Sequence, residues 1–129
     1  MTTVSFHMEG SRIVGFTVKG HSGYAEAGSD IVCAAVTSAV RLVECAVNDV
    51  LGLEASVKVK ERDASISLRL PGGLGQTAES TCQTLLTALM VHMTSLHEEY
   101  PDYVLLLEED STSRRSLLST HKFGGVTPC

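Results

Sequence analysis

Basic residues are scarce in this sequence. Its 129 residues include ten Lys and Arg against fifteen Asp and Glu, which gives a formal charge of −5 at neutral pH. A general nucleic-acid-binding surface normally carries a basic excess, often with aromatic residues interleaved. Neither a basic cluster nor an aromatic-basic cluster stands out along the chain. We therefore expect no direct contact with nucleic acid.

Closely spaced cysteines are also lacking. The four cysteines form no CxxC pair; they are Cys33, Cys45, Cys82 and Cys129. This spacing excludes a compact disulfide framework and the paired ligands of a structural zinc site. Residues 72–75 (GGLG) lack the lysine of a phosphate-binding Walker loop. We expect reduced thiols, with Cys45 and Cys82 in the core, and neither metal nor cofactor.

Nothing in the sequence indicates secretion or a membrane span. The first five residues contain neither a basic region nor an apolar block. The most apolar run, from Ile31 to Val40, is followed by Arg41 and Glu44, so we interpret it as part of a buried helix rather than a bilayer span. We expect a cytoplasmic protein that does not associate with membranes.

The periodicity of apolar residues predicts one α+β domain over residues 1–109. Alternation at every second residue predicts a hairpin over 4–18 and strands near 55–59, 66–70 and 103–107. Steps of three and four predict helices from 30 to about 51 and from about 76 to 100. The order ββαββαβ favours a two-layer sandwich, with a mixed sheet and two helices on one face.

The face of this sheet away from the helices should be polar. The residues expected there are Ser5, His7, Thr17, Lys58 and Ser67. Residues 110–129 lose the periodicity and are rich in Ser and Thr, which predicts a disordered tail. A second subunit packed on the open face or near the helices is consistent with the pattern, which does not choose between them.

The most informative segment runs from 20 to 36, GHSGYAEAGSDIVCAAV. Asp30 is a favoured helix N-cap, and Cys33 would then lie in the first helical turn. Unpaired backbone N–H groups and the helix dipole at that position stabilise a thiolate. The alternative for Cys33 is a small buried hydrophobe, as many free cysteines are.

His21, on the glycine-rich loop before that helix, is the natural general base for Cys33. Asp30 would cap the helix or orient His21. The backbone N–H groups of Cys33 and Ala34 are oxyanion-hole candidates. The remaining candidates for the substrate loop are Gly20, Ser22, Gly23 and Gly28. An ordinary loop histidine is the alternative for His21, but the pair together indicates a cysteine peptidase.

The segment GHSGYAEAGSDIVCAAVTS resembles the bacterial ribosomal-processing cysteine protease family. That family shows a Gly-His loop, a further glycine, and Asp-(Ile/Val)-Val-Cys-Ala. The matching positions are Gly20, His21, Gly28, Asp30, Ile31, Val32, Cys33 and Ala34. Many members have serine four residues after the cysteine, where this chain has Thr37, which keeps a hydroxyl for helix or substrate hydrogen bonding.

The resemblance implies a catalytic dyad of His21 and Cys33 in a homodimeric endopeptidase. It further implies a substrate, the precursor of the large-subunit ribosomal protein numbered twenty-seven, whose N-terminal extension is removed in support of ribosome assembly. Two alternatives remain open from the residues alone: a non-enzymatic ribosome-assembly or RNA-binding module, and a redox thiol protein. No resolving cysteine lies near Cys33 in the sequence, which disfavours the second.

Overall fold

The computed structural model describes residues 1–20, 27–110 and 115–117, with side chains described for residues 1–20 and 31–110. The predicted order ββαββαβ is confirmed, and one short strand follows it. The elements are β1 (Thr2–Glu9), β2 (Arg12–Lys19), α1 (Ala27–Glu44) with a π-helical extension (Cys45–Val50), β3 (Ser56–Lys60), β4 (Ser65–Arg69), α2 (Gln76–Glu99), β5 (Val104–Asp110) and β6 (Arg115–Leu117).

The strands form one mixed sheet in the order β3-β4-β2-β1-β5-β6. Neighbouring strands are antiparallel except for β1 and β5, which run parallel. The helix α2 connects β4 to β5 as a crossover, so that β5 enters the sheet in the same direction as β4 and β1. β5 is flanked on both sides, in agreement with its apolar sequence. The strand β6 lies within the segment predicted to be a disordered tail, so that prediction is wrong for Arg115–Leu117; the rest of the tail beyond residue 110 lies outside the described residues.

Both helices pack on the same face of the sheet. The valines of α1 and its extension recur at steps of three and four and are buried: Val32, Val36, Val40, Val43 and Val47. Opposite them, Phe6 and Phe16 pair across β1 and β2 with ring centroids 6.5 Å apart. A fully buried side chain of this size contributes about 1.5–3 kcal/mol through removal from water. The predicted two-layer sandwich is confirmed.

The α1 helix and its extension also have enough length and apolar content, over Ile31–Val50, to cross a membrane by those criteria alone. The valine stripe is nevertheless buried against the sheet, as in the core helix of a globular domain. Cys82 is buried as predicted, and burial raises the pKa of its thiol. Cys45 is exposed on the outer side of the helix, so its assignment to the core is wrong.

Side-chain hydrogen bonds fasten the helices to the strands. The Arg12 guanidinium binds the Glu79 carboxylate through two bonds, Nε to Oε2 at 2.5 Å and Nη2 to Oε1 at 2.9 Å. The Gln83 amide exchanges bonds with the backbone N–H and C=O of Ile13, at 2.9 and 2.8 Å. The Asn48 amide does the same with Ala55, at 2.7 and 3.1 Å, and so holds the end of the first helix to the start of β3.

The open face of the sheet carries the polar residues that the alternation predicted. Lys58, Ser67, Thr17 and Ser5 are successive cross-strand partners and form one row over β3, β4, β2 and β1. His7 lies on the same face, with its Nε2 atom 2.8 Å from the hydroxyl of Thr17.

Candidate active site

Cys33 lies on α1 where that helix passes the end of β2. A Cβ built on Gly20, the residue that follows β2, would lie 3.4 Å from the Sγ atom of Cys33. The cysteine is half-buried and free. The end of β2 therefore lies beside the thiol, close enough that a side chain at position 20 would contact the sulfur.

The turn between β3 and β4 completes this arrangement. The backbone N–H of Gly20 donates to the carbonyl oxygen of Ala64 at 2.9 Å. The Cβ position of Gly20 is also 3.7 Å from that oxygen. Ala64 has a φ of +49°, the left-handed region that costs an L-residue roughly 1–2 kcal/mol. A strained turn residue thus holds the end of β2 against the cysteine.

Nothing in the sequence near the cysteine points to Ala64. It lies 31 positions after Cys33 and belongs to a different hairpin. Only the pairing of Lys19 with Ser65, in the β2–β4 ladder, carries Ala64 to the active-site end of the sheet. The available signal was the alternating apolar pattern of both strands, which does not specify which strands pair or in which register.

The start of α1 corrects three expectations. The helix begins at Ala27, so Asp30 lies within its first turn and is not the N-cap, and Gly28 belongs to the helix rather than to the loop. Cys33 is consequently the seventh helical residue, counted from Ala27, and not the third. The dipole still favours a carboxylate at Asp30, and the predicted role of Asp30 in orienting His21 stays a prediction.

The same helix start removes the predicted oxyanion hole. In an α-helix only the N–H groups at the start of the first turn lack a partner, and here none of them lies beyond Asp30. The N–H groups of Cys33 and Ala34 are bonded to carbonyls one turn earlier and are not free to bind an oxyanion. Ala34 is exposed beside the cysteine, and Thr37 is half-buried one turn further along the same side of the helix.

The loop residues His21, Ser22 and Gly23 lie outside the described residues, as do the side chains of residues 27–30. Gly20 is therefore the last residue of the predicted dyad loop that the structure places. Among the residues described, no group of three His, Cys, Asp or Glu side chains is arranged to hold a metal ion. The described part of the site thus offers a half-buried thiol and, beside it, backbone polar groups from β2 and the β3–β4 turn.

Comparison with known proteins gives the family. The sequence profile of the cysteine protease Prp family matches residues 1–105, from the start of the chain to the second residue of β5. The chain belongs to the cysteine protease Prp family. It is also 30% identical, over 90 residues, to the ribosomal processing cysteine protease Prp of Bacillus subtilis (strain 168), an alignment that covers 70% of this chain and 80% of the relative.

Solved structures show the same fold. SMU.848 from Streptococcus mutans superposes with a TM-score of 0.74 at 24% identity, over 86% of this chain and 96% of that one. The essential ribosomal processing protease Prp from S. aureus, in complex with a substrate peptide, superposes with a TM-score of 0.71 at 19% identity, over 84% of this chain and all of that one. A second structure of the S. aureus protein carries a covalently linked product peptide, with a TM-score of 0.64 at 22% identity over the same 84% of this chain. As a member of the family, the chain is a Prp-type cysteine protease.

Proposed function

We propose that this Prp-type protease removes the N-terminal extension from the precursor of the large-subunit ribosomal protein numbered twenty-seven. The proposal is supported by the Bacillus subtilis relative, whose name describes ribosomal processing, and by the S. aureus relative solved with a substrate peptide. The observation that carries it is the proximity of Cys33 to the end of β2: a Cβ built on Gly20, the residue directly before His21, would lie 3.4 Å from the Sγ atom of Cys33.

In this proposal His21 is the general base and Cys33 the nucleophile. Consecutive Cα atoms are 3.8 Å apart, so a side chain on the residue after Gly20 is within reach of the sulfur. His21 takes the thiol proton, and the thiolate attacks the carbonyl carbon of the scissile peptide bond. The protonated imidazole then gives that proton to the leaving amine. A water molecule finally hydrolyses the thioester and regenerates the thiol.

Backbone donors for the oxyanion are assigned to the loop and not to the helix. The N–H groups of Cys33 and Ala34 are engaged within α1, so we assign this role to N–H groups of Ser22 and Gly23. Asp30 would orient the imidazole of His21, and the hydroxyl of Thr37 would contact substrate beyond the exposed Ala34. The lack of a side chain at Gly20, beside the sulfur, supports the close approach of a peptide backbone.

We further propose that the protein acts as a cytoplasmic homodimer. An apolar groove of about 650 Å³ runs between α1 and α2 on the side away from the sheet, lined by residues that include Leu42, Leu85 and Leu89. Leu42 is 70% exposed, which is unusual for a leucine beside a groove of this size. Burial of such a patch against a second copy of the chain would remove it from water.

Cleavage of a synthetic peptide that spans the processing site tests the assignment. Cys33→Ala should lower kcat/KM by at least about 10³-fold, as removal of a covalent nucleophile does in other proteases. His21→Ala should produce a comparable loss. Cys45→Ala is the matched control, because Cys45 is an exposed free cysteine in the extension of α1, twelve residues after Cys33. This variant should leave the rate of cleavage unchanged. Full activity of Cys33→Ala would refute the proposal.

A further inference from the structure

The open face of the sheet gathers basic residues that are dispersed in the sequence. Four of the ten Lys and Arg of the chain lie on the half of this face formed by β2, β4 and β3. They are Lys19, Lys58, Lys60 and Arg69, and all four are exposed. Strand register places Lys19 and Lys60 on either side of Ser65, and Lys58 beside Ser67. We refer to this surface, from Lys19 to Arg69, as the cationic half-face.

The other positions of the cationic half-face are small or carry hydroxyl groups. They are Gly15, Thr17, Ser56, Ser65 and Ser67. Carboxylates flank it in the described chain: Glu54 precedes β3, Glu61 and Asp63 are in the turn beyond the end of β3, and Glu109 is on β5, where it faces His7 at 3.5 Å. None of the nine positions of the half-face itself carries a carboxylate, so its own side chains are positive, although the whole chain carries a formal charge of −5.

A shallow hollow lies near the middle of this surface. It encloses about 160 Å³ and is lined by two cations, an imidazole and three hydroxyl groups: Lys58, Arg69, His7, Thr17, Ser56 and Ser67. Gly15 lies between His7 and Arg69 in the register, next to the hollow. A Cβ on Gly15 would meet the carbonyl oxygen of Leu68 at 2.2 Å, so β4 packs too closely there for any other residue.

We propose that the cationic half-face binds the phosphate backbone of RNA, with one phosphate group seated in the hollow. This proposal departs from the expectation of no direct contact with nucleic acid, which was drawn from the overall charge and from the dispersal of basic residues along the sequence. Arg and Lys side chains together with hydroxyl groups are the donors that commonly bind phosphate in proteins. Four like charges disfavour a second copy of this half-face as the occupant. The choice of RNA among polyanions rests on the proposed function, because ribosomal protein precursors assemble on RNA.

The cationic half-face ends close to the catalytic cysteine, which relates the proposed RNA binding to the protease activity. Its row of Lys60, Ser65 and Lys19 ends one residue before Gly20, which lies beside the sulfur of Cys33. RNA held on the open face would therefore lie beside the catalytic end of the sheet without covering the helices. Such an arrangement lets the protease engage a precursor that is already attached to ribosomal RNA.

Fluorescence anisotropy with a labelled single-stranded RNA, titrated with protein at several salt concentrations, tests the proposal. Four phosphate contacts predict a slope of about −3 for log K against log salt. Lys58→Glu and Arg69→Glu should each reduce the magnitude of the slope by about 0.7, and together they should weaken binding by at least tenfold. Arg41→Glu, an exposed cation on α1, is the control and should retain full RNA affinity. Cleavage of the synthetic peptide should be unchanged in Lys58→Glu, in Arg69→Glu, in the double variant and in Arg41→Glu.

Three results would overturn the proposal. The first is an RNA affinity of the double variant equal to that of the wild-type protein. The second is a loss of RNA affinity in Arg41→Glu as large as that in the double variant. The third is displacement of the RNA by a polyglutamate peptide at equal charge concentration. Circular dichroism and thermal unfolding establish that each variant is folded; if the glutamate pair unfolds, Lys58→Gln with Arg69→Gln replaces it. Normal peptide cleavage without RNA binding would refute only this inference and leave the proposed peptidase function standing.

Discussion

The Sγ atom of Cys33 lies 3.4 Å from the point where Gly20 would carry a Cβ. This proximity places the catalytic helix beside the end of β2, and the hydrogen bond from Gly20 to Ala64 joins that end to the β3–β4 turn. Three elements from separate parts of the chain therefore meet near one sulfur atom. The predictions below address this arrangement and the sheet that supports it.

Gly20→Ala should impair catalysis with little effect on stability. The added methyl group fits the backbone conformation but contacts the sulfur of Cys33 and the carbonyl oxygen of Ala64. At these distances the methyl group displaces neither atom, so we expect kcat/KM to fall by less than about tenfold, because the methyl occupies volume beside the thiol, while the midpoint of thermal unfolding changes little. Gly72→Ala is the matched control, because nothing lies within 4 Å of its Cβ position. Equal activity of the two variants would show that the volume beside the sulfur is not needed.

Gly15→Ala should destabilise the sheet itself. Its Cβ would lie 2.2 Å from the backbone oxygen of Leu68, which cannot move without breaking the β2–β4 ladder. We expect the free energy of unfolding in urea to fall by about 2–3 kcal/mol, a typical cost of overpacking. The same Gly72→Ala control should be close to neutral. A loss below about 0.5 kcal/mol would mean that the strands separate more easily than the register indicates.

Acid should weaken the contact between β2 and α2. The hydrogen bond from Arg12 lowers the pKa of Glu79 and raises the pKa of Arg12. A carboxyl group with a lowered folded-state pKa stabilises the protein above its unfolded value of about 4.5, and this stabilisation is lost as the pH falls from there through the folded value. Both side chains are partly exposed, so we expect about 0.5–1 kcal/mol.

The free energy of unfolding, measured between pH 7 and pH 3, checks this expectation in the wild-type protein and in Glu79→Gln. The glutamine variant should be less stable at pH 7 and should lose less stability on acidification. Glu99→Gln, an exposed carboxylate at the end of α2 for which no pair is seen in the described chain, is the control. Identical pH profiles for wild type and Glu79→Gln would exclude a contribution from this pair.

Asn48→Ala should loosen the connection between the first helix and β3. The variant loses both bonds to Ala55, at 2.7 and 3.1 Å, and leaves backbone groups of a buried residue without partners. We expect a loss of about 1–3 kcal/mol in the free energy of unfolding. Asn48→Asp keeps the acceptor for the Ala55 N–H and should lose less at neutral pH. Equal losses in the two variants would place the stabilising effect elsewhere than in the bond to the Ala55 N–H.

The periodicity of the chain determined the element order and the two layers, because the alternation of Val4 with Phe6 and the valine steps of the first helix are local properties of strands and helices. The same local patterns also assigned the polar row of Ser5, Thr17 and Ser67 to the open face, and the segment around Cys33 indicated the family. These features need no knowledge of which elements meet.

Tertiary structure decided what depends on distant partners. The segment AGSD at 27–30 offers two residue types suited to an N-cap, so local sequence did not fix the first turn, and the helix starts at Ala27. The placement of Ala64 beside Gly20, and the gathering of Lys19, Lys58 and Arg69 on one surface, follow from strand register. Register is set by the packing of whole strands, and no short stretch of sequence contains both partners.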